Sequence, residues 1–133
     1  MLAHPLRTAV GYSSTREQFG RPIRDFEGVR FKIVDMAVKL AASRLLILHA
    51  ARVLDRGEPA RKEGAIAKLY STEAAFDVAH ESLQVHGGIG YTKDLPIERY
   101  FRDARFMMIG GGTSEIMRYI IQREVYKDMG RPS

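Results

Sequence analysis

Between Phe26 and Leu54 the apolar positions fall at Phe26, Val29, Ile33, Met36, Ala37, Leu40, Leu45, Leu48, Ala51 and Leu54. Steps of three and four sustained over many turns are the period of an amphipathic helix. The spacing predicts one long helix, closed by "DRGEP", where Gly57 suits a left-handed cap and Pro59 can open the next element. A second long helix follows from about Ala60 to Val85, with Ile66, Leu69, Tyr70, Ala74, Val78 and Leu83 as its stripe. It stops at "HGGIGY", because Gly87, Gly88 and Gly90 do not sit comfortably in a helix interior.

"DLPIERYFRDARF" predicts a shorter helix from near Pro96, ended by Gly110, Gly111 and Gly112. Thr113 or Ser114 then caps a last helix to about Lys127, with Glu115 in its positive first turn. Leu2 to about Phe19 is helical in pattern as well, although Pro5 interrupts it. Strand signals are poor throughout. The predicted fold is all-α: an antiparallel four-helix bundle of long helices with one short crossing helix, a single domain over 1–133.

Composition narrows what such a bundle can do. A 133-residue chain that is 45% hydrophobic and 28% charged can bury a real core. It has no cysteine, which removes disulfides and thiolate metal sites. His4, His49, His80 and His86 make no metal-ligand spacing, so no metal is expected. No apolar run reaches the ~18 residues of a membrane span, and the start lacks a secretory layout. The expected location is intracellular, in the cytoplasm. A net charge of +5 raises the question of nucleic acid, but the arginines Arg16, Arg21, Arg24 and Arg30 are interleaved with Glu17, Asp25 and Glu27. With no aromatic interleaving either, the pattern predicts an ion-paired surface with one or two anion sites, and no nucleic-acid partner.

No nucleophile elbow, phosphate-binding Walker loop or paired-carboxylate motif is present. What stands out is bare backbone. Gly110–Gly112 lead straight into a helix N-terminus, whose unpaired amides and partial positive charge suit an anion. "QVHGG" sets Gln84 beside a second bare stretch, and "STREQFG" adds the Arg16 fork with Phe19 close by. Either glycine stretch alone reads as a turn; the three segments together predict a site for a phosphorylated, aromatic-containing ligand such as a dinucleotide.

In order and spacing, "YSSTREQFGRPIRDFE" (Tyr12–Glu27), "AIAKLYSTEAA" (Ala65–Ala75), "QVHGGIGYTKDLPIERYFRDAR" (Gln84–Arg105) and "IGGGTSEIMR" (Ile109–Arg118) resemble the C-terminal domain of flavin-dependent acyl-CoA dehydrogenases. The resemblance covers nearly the whole chain and implies a four-helix domain that clamps FAD between subunits. Arg16, Gln18 and Phe19 match the segment that holds the FAD diphosphate and adenine end from a neighbouring subunit. Gln84, Val85, His86, Gly87 and Gly88 match a Gln-x-x-Gly-Gly segment at the adenosine part. Thr113, Ser114 and Glu115 match the opening of the last helix, which faces FAD. Glu27 is carried over at a position where the family commonly has Gln, and a carboxylate near a diphosphate repels it.

A second departure concerns the chemistry. Many members read Tyr-Glu-Gly-Thr at the glycine triplet, and that Glu takes the α-proton of the acyl-CoA while FAD receives the β-hydride. Here the matching position is Gly111, so the chain supplies no catalytic residue of its own. The pattern is similar to the isovaleryl-CoA and long-chain type, whose Glu lies on an earlier helix, upstream of Met1 in this numbering. Gly111 and Gly112 are then expected to line the thioester end of the substrate. The family's N-terminal helical and middle β domains have no counterpart here, so the expectation is a fragment: the FAD-binding and oligomerising domain (dimer or tetramer) of an acyl-CoA dehydrogenase, inactive and without FAD when isolated. The alternative is a non-catalytic helical assembly module, or one subunit of a split dehydrogenase whose partner chain supplies the missing domains.

Overall fold

The computed structural model describes residues 2–131, which form six helices and one very short hairpin. In chain order these are α1 (Ala3–Thr15), β1 (Glu17–Gln18), β2 (Arg21–Pro22), a 3-10 turn (Ile23–Asp25), α2 (Glu27–Asp55), α3 (Arg61–His86), α4 (Gly88–Tyr91), α5 (Ile97–Met107) and α6 (Ser114–Asp128). Pro5 falls in the first turn of α1, where its missing N–H would have had no partner anyway. Gly57 takes the left-handed cap after α2 at φ 73°, and α3 starts two residues beyond Pro59. Thr113 caps α6, its hydroxyl accepting from the Ile116 N–H at 3.3 Å.

Helix α3 is the axis of the bundle. Lys32 pairs with Glu81 and Lys39 with Asp77, so α2 runs antiparallel to it. Helix α1 runs parallel to α3, with the Ser82 hydroxyl donating to Pro5 O and Tyr12 stacked on His86. Phe101 of α5 packs on Phe76 and His80, while α6 places Arg118 on Glu73 and Asp128 on Lys62. Thus α5 covers one half of α3 and α6 the other, both antiparallel to it, with the glycine triplet at the break between them. Small residues let these helices come close. Ala65, Ala67, Ala74, Ala75 and Ala79 are all buried on α3, and Ala104 of α5 meets Ala75 and Ala79. The larger core residues Met36, Val78 and Val85 pack with Ala9 at the end shared by α1, α2 and α3.

Three sequence expectations need correction. The first helix does not reach Phe19. The hydroxyls of Ser13, Ser14 and Thr15 fold back onto carbonyls of the preceding turn, and the chain leaves the helix at Arg16. A two-residue turn then pairs Glu17 with Pro22 and Gln18 with Arg21, which poor strand propensity had hidden. "HGGIGY" does end α3, at Gly87 with φ 62°, yet Gly88 and Gly90 belong to the short helix α4. Gly90 is required there because a Cβ would lie 2.8 Å from His86 Cβ. Finally, of the predicted stripe of α2 only Met36 is buried, with Phe26, Val29, Ile33 and Leu40 half-buried. Ser43, Ala50 and Val53 face inward, whereas Leu45, Leu48 and Leu54 are exposed. Helix α2 is apolar on more than one face, so periodicity alone cannot say which face meets α3. Phe31, Val34, Val38, Leu45 and Leu48 leave an apolar outer surface along this helix.

Candidate functional site

Two concave regions hold most of the residues singled out in the sequence. The first is an open cavity of about 460 Å³ whose walls include Arg16, Gln18, Val85, His86, Gly87 and Gly88, with Tyr12, Ile23 and Ile89. The fold assembles it from segments some seventy positions apart in sequence. Arg16 is the first residue after α1, held by its own N–H on Tyr12 O at 2.8 Å and by the Ile23 N–H on its carbonyl at 2.8 Å. The α3–α4 junction supplies the opposite wall. His86 is buried, its Nδ1 lies 2.7 Å from Ser82 O, and its ring stacks on Tyr12 with centroids 4.7 Å apart. A carbonyl only accepts, so Nδ1 carries the proton and the imidazole orientation is fixed.

Gly87 and Gly88 give this wall its chemistry. A Cβ built on either meets nothing within 4 Å, so both present bare backbone to open space. Gly87 also needs to be glycine for its φ of 62°. An exposed guanidinium, a carboxamide, and backbone without side-chain cover can receive an anionic group.

Phe19 lies outside these walls. It sits at the hairpin tip with φ 54°, rare for a bulky side chain, and is 92% exposed. Its ring meets Phe26 edge-on, with centroids 6.0 Å apart. Glu27 is exposed at the first turn of α2 and does not line the cavity. Gln84 is exposed on the last turn of α3, beside the walls but not part of them.

The second region, about 140 Å³, is lined by Thr113, Ser114 and Glu115 at the start of α6, with Arg105, Arg118 and Glu73 around them. Ser114 Oγ is buried and has no hydrogen-bond partner among the described residues. A buried hydroxyl left unpaired at a helix N-terminus is unusual and fits an external partner. Glu115 is exposed; its own backbone N–H and then the Thr113 hydroxyl hold its carboxyl below the usual carboxylate range.

Next to this region the glycine triplet forms a fixed loop. Gly111 and Gly112 have φ of 67° and 102°. Lys68 of α3 donates from Nζ to Gly110 O at 2.9 Å and to Gly112 O. In a trans peptide the N–H points opposite to the C=O. With both carbonyls turned toward Lys68, the N–H groups of Gly111 and Thr113 face away from it, and no described group accepts from them. Sequence reasoning gave Lys68 no role. Its signal, a lysine in an otherwise apolar turn of α3, carries no information about a partner 42 residues away.

The chain matches the acyl-CoA dehydrogenase C-terminal domain family over residues 1–126. It belongs to that family. Similar proteins include a probable acyl-CoA dehydrogenase of Bacillus subtilis, 43% identical over 122 residues, which covers 92% of this chain and 32% of the relative. Among solved structures, butyryl-CoA dehydrogenase from Megasphaera elsdenii superposes with a TM-score of 0.91 at 35% identity, over 93% of this chain and 32% of that one. An FAD complex of PigA superposes with a TM-score of 0.90 at 31% identity, over 93% and 32%. The chain therefore spans about a third of the length of the relatives it matches. The all-α acyl-CoA dehydrogenase C-terminal fold expected from the sequence is the fold found.

Proposed function

We propose that this chain is the FAD-clamping and oligomerising domain of an acyl-CoA dehydrogenase, and that its two concave regions contact two different FAD molecules, so that each cofactor is held between subunits. The observation that carries the reading is the assembly of Arg16, Gln18 and Gly87–Gly88 into one cradle, while Ser114 Oγ waits unpaired in a separate region. Arg16 would hold the diphosphate and the bare backbone at Gly87–Gly88 the adenosine part. Thr113, Ser114 and Glu115 would contact a second FAD. The exposed Phe19 supports sharing, since it lies outside the lining of its own cradle. Glu27 adds no contact in this arrangement.

When bound, FAD supplies an acceptor for the β-hydride of the acyl thioester. The chain's own part lies in the glycine loop. The Gly111 N–H is free to donate to the thioester oxygen, which withdraws charge from the carbonyl and acidifies the α-carbon. Gly111 has no side chain to take that proton, so the base is a carboxylate supplied elsewhere in the polypeptide. The substrate is thus an acyl-CoA and the product its α,β-unsaturated thioester. The apolar outer face of α2 fits a second copy of the chain, giving a dimer or tetramer.

Flavin content tests the clamp. The protein should be produced as its full-length polypeptide and its visible spectrum compared with those of Arg16→Ala and Gly88→Val. A Cβ at Gly88 meets no protein atom within 4 Å, so Val should fill the cradle without disturbing the fold. Bound flavin in the wild type and loss in both variants is expected. Equal flavin in all three would refute this cradle as the cofactor site.

A further inference from the structure

We infer that Lys68 is the positioning residue for the glycine loop, holding Gly110–Gly112 so that the Gly111 N–H meets the thioester oxygen. The inference rests on the reading of that loop as the thioester-facing wall.

The lysines that reach from one helix to another divide into two kinds. Lys32, Lys39 and Lys62 each pair with a carboxylate, namely Glu81, Asp77 and Asp128. Lys68 is half-buried, has no carboxylate partner among the described residues, and spends its donors on two backbone carbonyls instead. Taking an ammonium partly out of water for two neutral acceptors is a poor exchange for stability alone, because an opposite charge would compensate it better. The arrangement makes sense if the shape of the loop is what matters.

That shape needs a cation. The carbonyls of Gly110 and Gly112 flank Gly111 and converge on one point, so their negative ends repel unless a donor stands between them. Lys68 is anchored to provide it. Its own carbonyl accepts from the Thr72 hydroxyl at 2.9 Å, and Thr72 is buried in α3. The loop is also restrained on the far side, where the Ser114 N–H donates to Met108 O at 3.1 Å. The Gly110 N–H on Phe106 O at 2.9 Å and the Met117 N–H on Thr113 O at 3.0 Å hold the two ends. Between them, among the described residues, only Lys68 fixes the carbonyls of Gly110 and Gly112. A hydrogen bond to the Gly110 carbonyl further polarises that amide, which strengthens its N–H, the one belonging to Gly111, as a donor. Lys68 would therefore both aim and activate the group that polarises the substrate, without touching it.

The test uses the flavin-loaded full-length protein and Lys68→Met, with butyryl-CoA and isovaleryl-CoA as probes. Three quantities are compared: flavin per chain, the rate of flavin bleaching against acyl-CoA concentration, and deuterium uptake of the peptide covering 106–117. We expect unchanged flavin, a saturating bleaching rate lowered at least tenfold, a half-saturating concentration within threefold, and at least tenfold faster uptake in the loop. A residue that merely stabilised the bundle would not separate rate from half-saturation in this way. Unaltered bleaching overturns the inference, whether or not uptake rises; so does loss of flavin with unaltered uptake, because Lys68 would then act on the cofactor site. A wild-type protein that binds no flavin, or is not bleached, overturns the functional reading while the uptake comparison still judges Lys68. Should Lys68→Met not fold, Lys68→Gln keeps two N–H donors but neither the charge nor the full reach, and is expected to show the same changes to a smaller degree. Wild-type rate and uptake in Lys68→Gln would then overturn it.

Discussion

Alanine at Gly112 should be markedly more damaging than alanine at Gly111, although the two are neighbours in one loop. At Gly111, φ is 67° and an added Cβ would lie no closer than 3.9 Å to Lys68 Cε. The cost is then the left-handed backbone alone, about 1–2 kcal/mol for a non-glycine residue. At Gly112, φ is 102°, further from the left-handed well, and the Cβ would sit 2.7 Å from Met117 Cε. Backbone strain of roughly 1–3 kcal/mol combines with about 1 kcal/mol for moving a methionine end in a packed site. Met117 is only 8% exposed, so its methyl has little free space to enter. The total is roughly 2–4 kcal/mol. Urea unfolding followed by far-ultraviolet circular dichroism measures both variants. Adding Met117→Ala isolates the steric part: the double variant should show about 1 kcal/mol of coupling with Gly112→Ala and none with Gly111→Ala. Equal costs at the two glycines, or no coupling to Met117, would refute the reasoning.

Other outcomes follow from single contacts. Gly90→Ala should destabilise by about 1–3 kcal/mol, because its Cβ would meet His86 Cβ at 2.8 Å and the Leu83 carbonyl at 3.1 Å, and backbone cannot step aside; thermal unfolding measures it. Thr113→Ala should cost about 1 kcal/mol through loss of the α6 cap, and NMR titration should show the Glu115 pKa rising toward its ordinary value. The sign follows from the depressed folded pKa: Glu115 stabilises the fold above its unfolded pKa, and that contribution is lost as pH falls through the folded value. Leu45→Glu combined with Leu48→Glu should change protomer stability by less than about 0.5 kcal/mol per site, yet shift sedimentation of the assembled protein toward smaller species.

Helix positions were legible because periodicity, caps and glycine stops are local properties. Gly57, Gly87 and Thr113 do what their residue types favour. The inward face of α2 was not legible, since Leu45 and Leu48 are as apolar as residues that are buried. The hairpin at 17–22 was hidden because its turn places Phe19, a poor left-handed residue, at φ 54°. In the site, Arg16 and Gly87–Gly88 were grouped by their chemistry, an anion donor and bare backbone, but no local rule says that positions so far apart line one cavity. Lys68 escaped notice for the same reason: a lysine on a helix says nothing about which carbonyls it will reach.

The most direct measurement for the account as a whole is anaerobic titration of the flavin-loaded full-length protein with acyl-CoA. The account predicts loss of the oxidised flavin absorbance, with one α,β-unsaturated thioester formed per flavin reduced. A protein that holds flavin yet keeps its oxidised spectrum with every acyl-CoA tried, straight or branched, would contradict it.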